Sequence, residues 1–78
     1  MILKLKYFGM IAEAVGKENE TINFSATTVL KLDELLKNQY SGLATMNYKI
    51  AVNQSIVKTD FELSEGDEIA LLPPFAGG

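Results

Sequence analysis

Only one segment of this 78-residue chain has the pattern of a long amphipathic helix. It follows Thr27 and Thr28, and the hydroxyl of either residue can cap the first turn. Apolar residues then recur at helical spacing. These are Val29, Leu32, Leu35, Leu36 and Tyr40. Gly42 is predicted to end the helix. One helix can cover one face of one sheet, so the chain is restricted to a small α+β domain.

Shorter segments have the alternation or the apolar composition of β-strands. They are residues 2–8, 20–24, 48–53, 56–57 and 68–72. In the first of them apolar side chains alternate with Lys4 and Lys6, which is typical of a strand with one face in water. Phe8, its last residue, falls on the lysine side. The last strand is mainly apolar, which predicts a central place in the sheet.

The connections complete a ββαβββ order. Residues 10–15 have the spacing of a short helix, and Gly16 stands where a helix C-cap belongs. Residues 43–47 show no clear period and are predicted to form a loop. The expected fold is a mixed sheet with one main helix packed on one face. Residues 1–72 are predicted to form this domain, and residues 73–78 a flexible tail.

The composition excludes most side-chain chemistry. The chain has seven lysines but no arginine, histidine, cysteine or tryptophan. Nucleophile–histidine pairs, thiolates, Cys/His zinc sites and disulfides are therefore excluded, and no metal site is predicted. The net charge of −3 argues against nucleic-acid binding, which depends on clustered positive charge. No apolar run approaches membrane-spanning length, so we expect a cytoplasmic protein without a membrane partner.

The last six residues form an unusual terminus. They are Pro73, Pro74, Phe75, Ala76, Gly77 and Gly78. Two prolines end the strand and favour an extended path, over which six residues reach roughly 20 Å. Terminal glycines have no side chain to block a narrow channel. This terminus favours a functional main-chain carboxylate over a frayed end.

Several segments resemble the MoaD-type sulfur carriers, the small subunits of molybdopterin synthase. Residues 66–78 read GDEIALLPPFAGG and carry the most specific likeness. Residues 5–9 (LKYFG), 11–16 (IAEAVG) and 51–54 (AVNQ) are also similar to that family. The resemblance covers most of the chain and implies a β-grasp, ubiquitin-like roll. That fold agrees with the ββαβββ order.

The resemblance also implies a mechanism and its partners. An activating enzyme related to the ubiquitin-activating enzymes would adenylate Gly78 with Mg-ATP, and a sulfur donor would convert the adenylate into a thiocarboxylate. The chain has no P-loop and is expected to bind no cofactor itself. Sulfur would pass to a pterin precursor inside the large synthase subunit, in a heterotetramer, so that this chain is not catalytic alone.

Tail and surface residues have separate implied roles. Gly77 would let the tail thread, Phe75 would anchor it, and Ala76 and the prolines would lie in the partner's groove. An aromatic residue at Phe8 is unexplained by the core, and with Ile56 it would form a partner surface if the two lie close together.

Two other classes of function stay open. One is a carrier for thiamine or cysteine synthesis, or a ubiquitin-like protein modifier, which share the fold and the Gly-Gly end. The paired prolines favour the molybdopterin pathway over thiamine carriers. The other is a non-covalent interaction module whose terminus has no chemical role. Acidic residues between positions 60 and 68 are interpreted as a solvated rim rather than a cation site.

Overall fold

The computed structural model describes residues 1–25 and 28–74, and within them the predicted ββαβββ order is confirmed. The elements are β1 (Ile2–Tyr7), α1 (Met10–Val15), β2 (Asn19–Asn23), α2 (Val29–Gln39), a 3₁₀ helix (Ser41–Thr45), β3 (Lys49–Val52), β4 (Ser55–Ile56) and β5 (Glu68–Leu72). The strands of the described residues form one mixed sheet in the order β2-β1-β5-β3-β4.

The last strand in sequence is the middle strand of the sheet, as its apolar composition predicts. β5 pairs in parallel with β1, where Tyr7 lies opposite Leu71. On its other side it pairs antiparallel with β3, where Ile50 lies opposite the same leucine. Ile69 and Leu71 are fully buried. A strand with neighbours on both sides satisfies its backbone groups within the sheet, which suits an apolar sequence.

The hydrophobic core lies between one face of the sheet and α2. The helix contributes Val29, Leu32 and Leu36, which are the innermost part of the predicted stripe. The sheet contributes Leu3, Leu5, Tyr7, Ile50, Val52, Ile69 and Leu71. Ile11 and Val15 of α1 and Leu43 of the 3₁₀ helix close the edges of this core. The lysines of β1 point to the opposite face and are exposed.

The predicted end of the main helix is wrong. α2 ends at Gln39, and Tyr40 is its C-cap with an extended backbone, rather than Gly42 closing the helix. The backbone N–H of Tyr40 still donates to the Leu36 carbonyl oxygen. Its phenol hydroxyl donates to Glu20 of β2 over 2.8 Å. This contact with a distant strand fixes the end of the helix, and no local pattern reveals it.

The predicted loop at residues 43–47 is wrong for residues 43–45 and confirmed for residues 46–47, which have no regular structure. Residues Ser41–Thr45 are a 3₁₀ helix, because Leu43 is fully buried and draws this segment onto the core. A Cβ at Gly42 would lie 3.4 Å from the Cβ of Ala14 in α1. Gly42 therefore permits close packing of the 3₁₀ helix on α1 and does not terminate α2.

The predicted N-cap of α2 and the predicted C-cap of α1 have the expected geometry. The hydroxyl of Thr28 accepts a hydrogen bond from the Lys31 backbone N–H. The alternative cap, Thr27, lies outside the described residues. Gly16 ends α1 with a left-handed backbone (φ 89°), as expected at a helix C-cap. The strand boundaries differ from the predicted ones by one residue in most places, and β1 ends just before Phe8.

A carboxylate joins the sheet to the end of α2. Glu20 accepts hydrogen bonds from the hydroxyls of Tyr7 and Tyr40, and Lys17 lies 3.4 Å from its other oxygen. Burial raises the pKa of Glu20, but the two tyrosine hydroxyls and the lysine together outweigh burial. The pKa of Glu20 therefore lies below its ordinary value.

Replacement of this carboxylate predicts a pH-dependent loss of stability. Glu20→Gln is expected to lower the free energy of unfolding at pH 7 by about 1–3 kcal/mol, because hydrogen bonds to a charged acceptor are lost. A depressed native pKa stabilises the fold above the unfolded-state pKa, and this stabilisation is lost as the pH falls through the native pKa. The difference between wild type and variant should therefore shrink below about pH 4.3.

Urea unfolding at a series of pH values measures this difference. Glu34→Gln is the matched control, since Glu34 lies exposed on α2 and its replacement also removes one negative charge. A Glu20→Gln deficit that stays constant from pH 7 to pH 3 would contradict the assigned role of the carboxylate.

Candidate functional site

An apolar patch lies on the face of the sheet opposite α2. Phe8 is 44% exposed and Ile56 is 57% exposed. Both line one shallow depression, together with the side of Leu72. The predicted pair therefore shares one surface, which we call the open face.

Strand register explains why the open face is shallow. Ile56 lies opposite Ala51, Ala51 lies opposite Ala70, and Ala70 lies opposite Lys6. Two neighbouring alanines give the depression a low floor between the larger side chains of Phe8 and Ile56. A flat apolar floor with raised apolar edges can accept a protein surface.

Charged side chains surround the open face. Lys6 and Lys49 line the depression, and Lys4 extends outward from the same side of β1. One acidic residue, Glu68, also lines it and lies 3.5 Å from the Lys6 ammonium. The open face is therefore locally basic, although the whole chain carries a net charge of −3.

The base of the tail lies at the end of the same sheet. β5 stops at Leu72, which confirms that the prolines end the strand. Pro73 is half-buried and Pro74 is exposed. The predicted tail residues Phe75, Ala76, Gly77 and Gly78 lie outside the described residues.

The acidic residues near the last turn have individual structural partners. Glu65 accepts the backbone N–H of Ile2, and Asp67 accepts the backbone N–H of Ser64 and the side-chain amide of Asn53. Within residues 1–25 and 28–74, the acidic residues form no group with the arrangement of a metal site.

None of the helices in the part of the chain that the structure describes is long and apolar enough to cross a membrane.

Sequence reasoning missed the close packing at the base of the tail. Gly9 reads as a simple strand break, yet a Cβ there would lie 3.3 Å from Cγ of Pro73. The two residues are 64 positions apart, and only the parallel pairing of β1 with β5 brings them together. The available signal was a glycine close after β1 together with a proline directly after β5, the strand that pairs with β1.

Comparison with known proteins assigns the family. The profile of the ThiS family matches residues 5–78. The molybdopterin synthase sulfur carrier subunit of Escherichia coli (strain K12) is 33% identical over an alignment of 81 positions. The alignment covers 99% of this chain and 100% of that protein. The likeness therefore extends over the whole length of both chains.

Two solved structures have the same architecture. One, from Pyrococcus furiosus, is provisionally described as subunit 1 of a molybdopterin converting factor. It has a TM-score of 0.89 and 27% identity, covering 95% of this chain and 98% of that chain. The other belongs to a complex of subunits 1 and 2 of the molybdopterin-converting factor from Helicobacter pylori. Its TM-score is 0.72 at 28% identity, with full coverage of both chains. This chain thus has the β-grasp fold and belongs to the ThiS family.

Proposed function

We propose that this chain is the sulfur carrier subunit of a molybdopterin synthase and that its reacting group is the C-terminal carboxylate of Gly78. The observation that carries the proposal is full-length similarity to a sulfur carrier subunit in a chain that ends Pro-Pro-Phe-Ala-Gly-Gly. The terminus follows directly from the central strand β5, so a rigid sheet supports it.

A carboxylate needs activation before sulfur can replace its oxygen. It is a resonance-stabilised anion at pH 7 and a poor electrophile. An adenylating enzyme would transfer AMP from Mg-ATP to the Gly78 carboxylate and release pyrophosphate. A sulfide equivalent from the sulfur donor would then attack the carbonyl carbon, the bond to AMP would break, and a thiocarboxylate would remain. Mg-ATP belongs to the activating enzyme, and this chain holds no cofactor.

The second half of the cycle takes place in the large subunit. There the thiocarboxylate sulfur acts as the nucleophile and is delivered to a pterin precursor. A dithiolene contains two sulfur atoms, so two carriers are consumed for each pterin. A heterotetramer, with one carrier at each end of a dimer of large subunits, satisfies this requirement.

The composition of the chain suits a reacting group on the main chain. The sequence contains no cysteine, so no thiol of its own can capture the activated terminus as an internal thioester. Gly77 and Gly78 present no side chain to a narrow channel. Phe75 is the residue that we assign as the tail anchor in the partner's groove, because buried aromatic residues are frequent anchors at interfaces.

The open face is the proposed docking surface. Its apolar part contains Phe8 and Ile56 on either side of the alanine floor, and both remain exposed while the opposite face of the sheet is buried. The related Helicobacter pylori chain was solved in a complex with subunit 2, which supports a heteromeric partner for this chain. Lys6 and Lys49 at the edge predict acidic groups around the apolar centre of the partner surface.

The carboxylate chemistry can be tested by intact-mass measurement. The full chain is incubated with its host's activating enzyme, Mg-ATP and a sulfur donor. We expect the mass to rise by the difference between one sulfur and one oxygen atom, and fragmentation to place this change at Gly78. Omission of ATP is the control for activation, and deletion of Gly78 should abolish the shift.

Two other results would contradict the proposal. An unchanged mass under conditions in which the enzyme adenylates a known carrier would contradict the proposal. Isopeptide links between Gly78 and lysines of other proteins would assign the chain to the ubiquitin-like modifiers instead.

Charge substitutions test the docking surface. Phe8→Lys and Ile56→Lys are each expected to weaken binding to the large subunit about tenfold or more, because a charge would be buried at the centre of the interface. Both side chains are largely exposed, so the melting temperature should change little. Titration calorimetry measures the affinity.

Leu30→Lys is the matched control for this experiment. Leu30 is 46% exposed but lies on α2, on the other side of the sheet. Its substitution should leave the affinity unchanged. Equal losses at Leu30 and at the open face would show that the large subunit does not dock there.

A further inference from the structure

The chain turns sharply at Gly9, where β1 separates from β5. The two parallel strands stay together up to a last hydrogen bond, in which the Phe8 N–H donates to the Leu71 carbonyl oxygen over 3.3 Å. Gly9 then adopts φ 58° and ψ −134° and leads into α1. L-residues rarely adopt this conformation, so glycine is favoured by the turn alone.

Packing adds a second reason for glycine. A Cβ at Gly9 would lie 3.3 Å from Cγ of Pro73, which is closer than nine in ten Cβ contacts in proteins, so the ring would have to shift by a few tenths of an ångström. The ring of Pro73 therefore lies directly against the backbone of the turn. Pro73 is the first residue of the tail, so the turn contacts the tail where it leaves the sheet.

On another side of Pro73 lies an open cleft. Met10, Ile11 and Met46 line it, together with both prolines. A methyl group at position 9 would push the Pro73 ring away from the turn, and the cleft offers space for the ring to move. The direction in which the tail leaves the domain therefore depends on the absence of a side chain at Gly9.

Pro73 is the point at which the tail starts. Gly78 lies five positions beyond Pro73, and a chain of this length can reach at most roughly 17 Å. The position of Pro73 therefore sets the point from which the last five residues start toward the activating enzyme. A misplacement of about 1 Å in a reacting group can slow a reaction by about a hundredfold.

We propose that Gly9 is a positioning residue for the C-terminal carboxylate: its bare backbone seats Pro73 and so directs the tail into the active site of the activating enzyme. This inference rests on the proposed sulfur-carrier function. Gly9 touches no reacting atom and acts through Pro73 alone. Neither Gly9 nor Pro73 lines the open face, so docking through that face and the direction of the tail can be varied separately.

Steady-state kinetics of thiocarboxylation test the proposal, with the carrier as the varied substrate of the activating enzyme and intact mass as the readout. Gly9→Ala should lower kcat about tenfold or more, while KM stays within about twofold, because the substitution misplaces the reacting carboxylate and not the surface that binds the enzyme. Gly16→Ala is the matched control. Gly16 also has a positive φ at an end of α1, but a Cβ there would meet no atom within 4 Å. Its kcat should stay within about twofold of wild type.

A double-mutant cycle separates tail direction from strain in the turn. Pro73→Ala removes the Cγ atom that faces Gly9 and should itself lower kcat several-fold. Adding Gly9→Ala to Pro73→Ala should then lower kcat by no more than about twofold. Multiplicative losses would mean that position 9 acts without Pro73, and they would overturn the proposal.

Control measurements show whether each variant is folded, and they separate a failure of the positioning role from a failure of the proposed function. Thermal unfolding of each variant shows whether it is folded at the assay temperature. Should Gly9→Ala unfold, Pro73→Ala and Pro73→Gly carry the test, since both leave the turn intact, and wild-type kcat in both would overturn the proposal. Failure of wild type to gain sulfur would refute the carrier function. Wild-type activity with equal kcat for Gly9→Ala and Gly16→Ala would refute the positioning role alone.

Discussion

The parallel pairing of β1 with β5 is the constraint on which the rest of the molecule depends. It brings the last strand of the chain beside the first, and the ends of both strands meet at one edge of the sheet. The core forms on one side of this pair, where Leu5 and Ile69 are opposite each other and buried. The tail leaves at the edge where β1 turns into α1. Any residue at that turn is therefore a neighbour of the tail, however distant it is in sequence.

Much of the fold follows from local patterns. Alternation along β1 predicts which side chains enter the core, and the apolar stretch of β5 predicts its central position; both predictions are confirmed. The 3₁₀ helix is different, because a single buried leucine, Leu43, decides it through a tertiary contact. Such a segment has no period to detect. The end of α2 was mispredicted for a related reason, since the Tyr40 hydroxyl bonds to Glu20 on another strand.

Some features of the candidate site could likewise be predicted from the sequence, and others could not. Composition indicates that side-chain chemistry is excluded, and the terminal Pro-Pro-Phe-Ala-Gly-Gly indicates where a main-chain group can react. The alternation places Phe8 on the lysine face, but its proximity to Ile56 depends on strand order, which a single sequence does not specify. The contact between Gly9 and Pro73 is still harder to predict from the sequence, because it depends on the register of the parallel strands as well as on strand order. In the proposed function, the domain would contribute shape and docking, and the main chain would contribute the reacting group.

The central claim is that this chain carries sulfur on Gly78 and gives it to a pterin in the large subunit. Its most direct test is a single-turnover reaction of the preformed thiocarboxylate with the large subunit and the pterin precursor, followed by mass measurement of the carrier and quantification of dithiolene. Two carriers should return to the carboxylate for each dithiolene formed. A thiocarboxylate that persists in the presence of a large subunit active with its own carrier would contradict the claim.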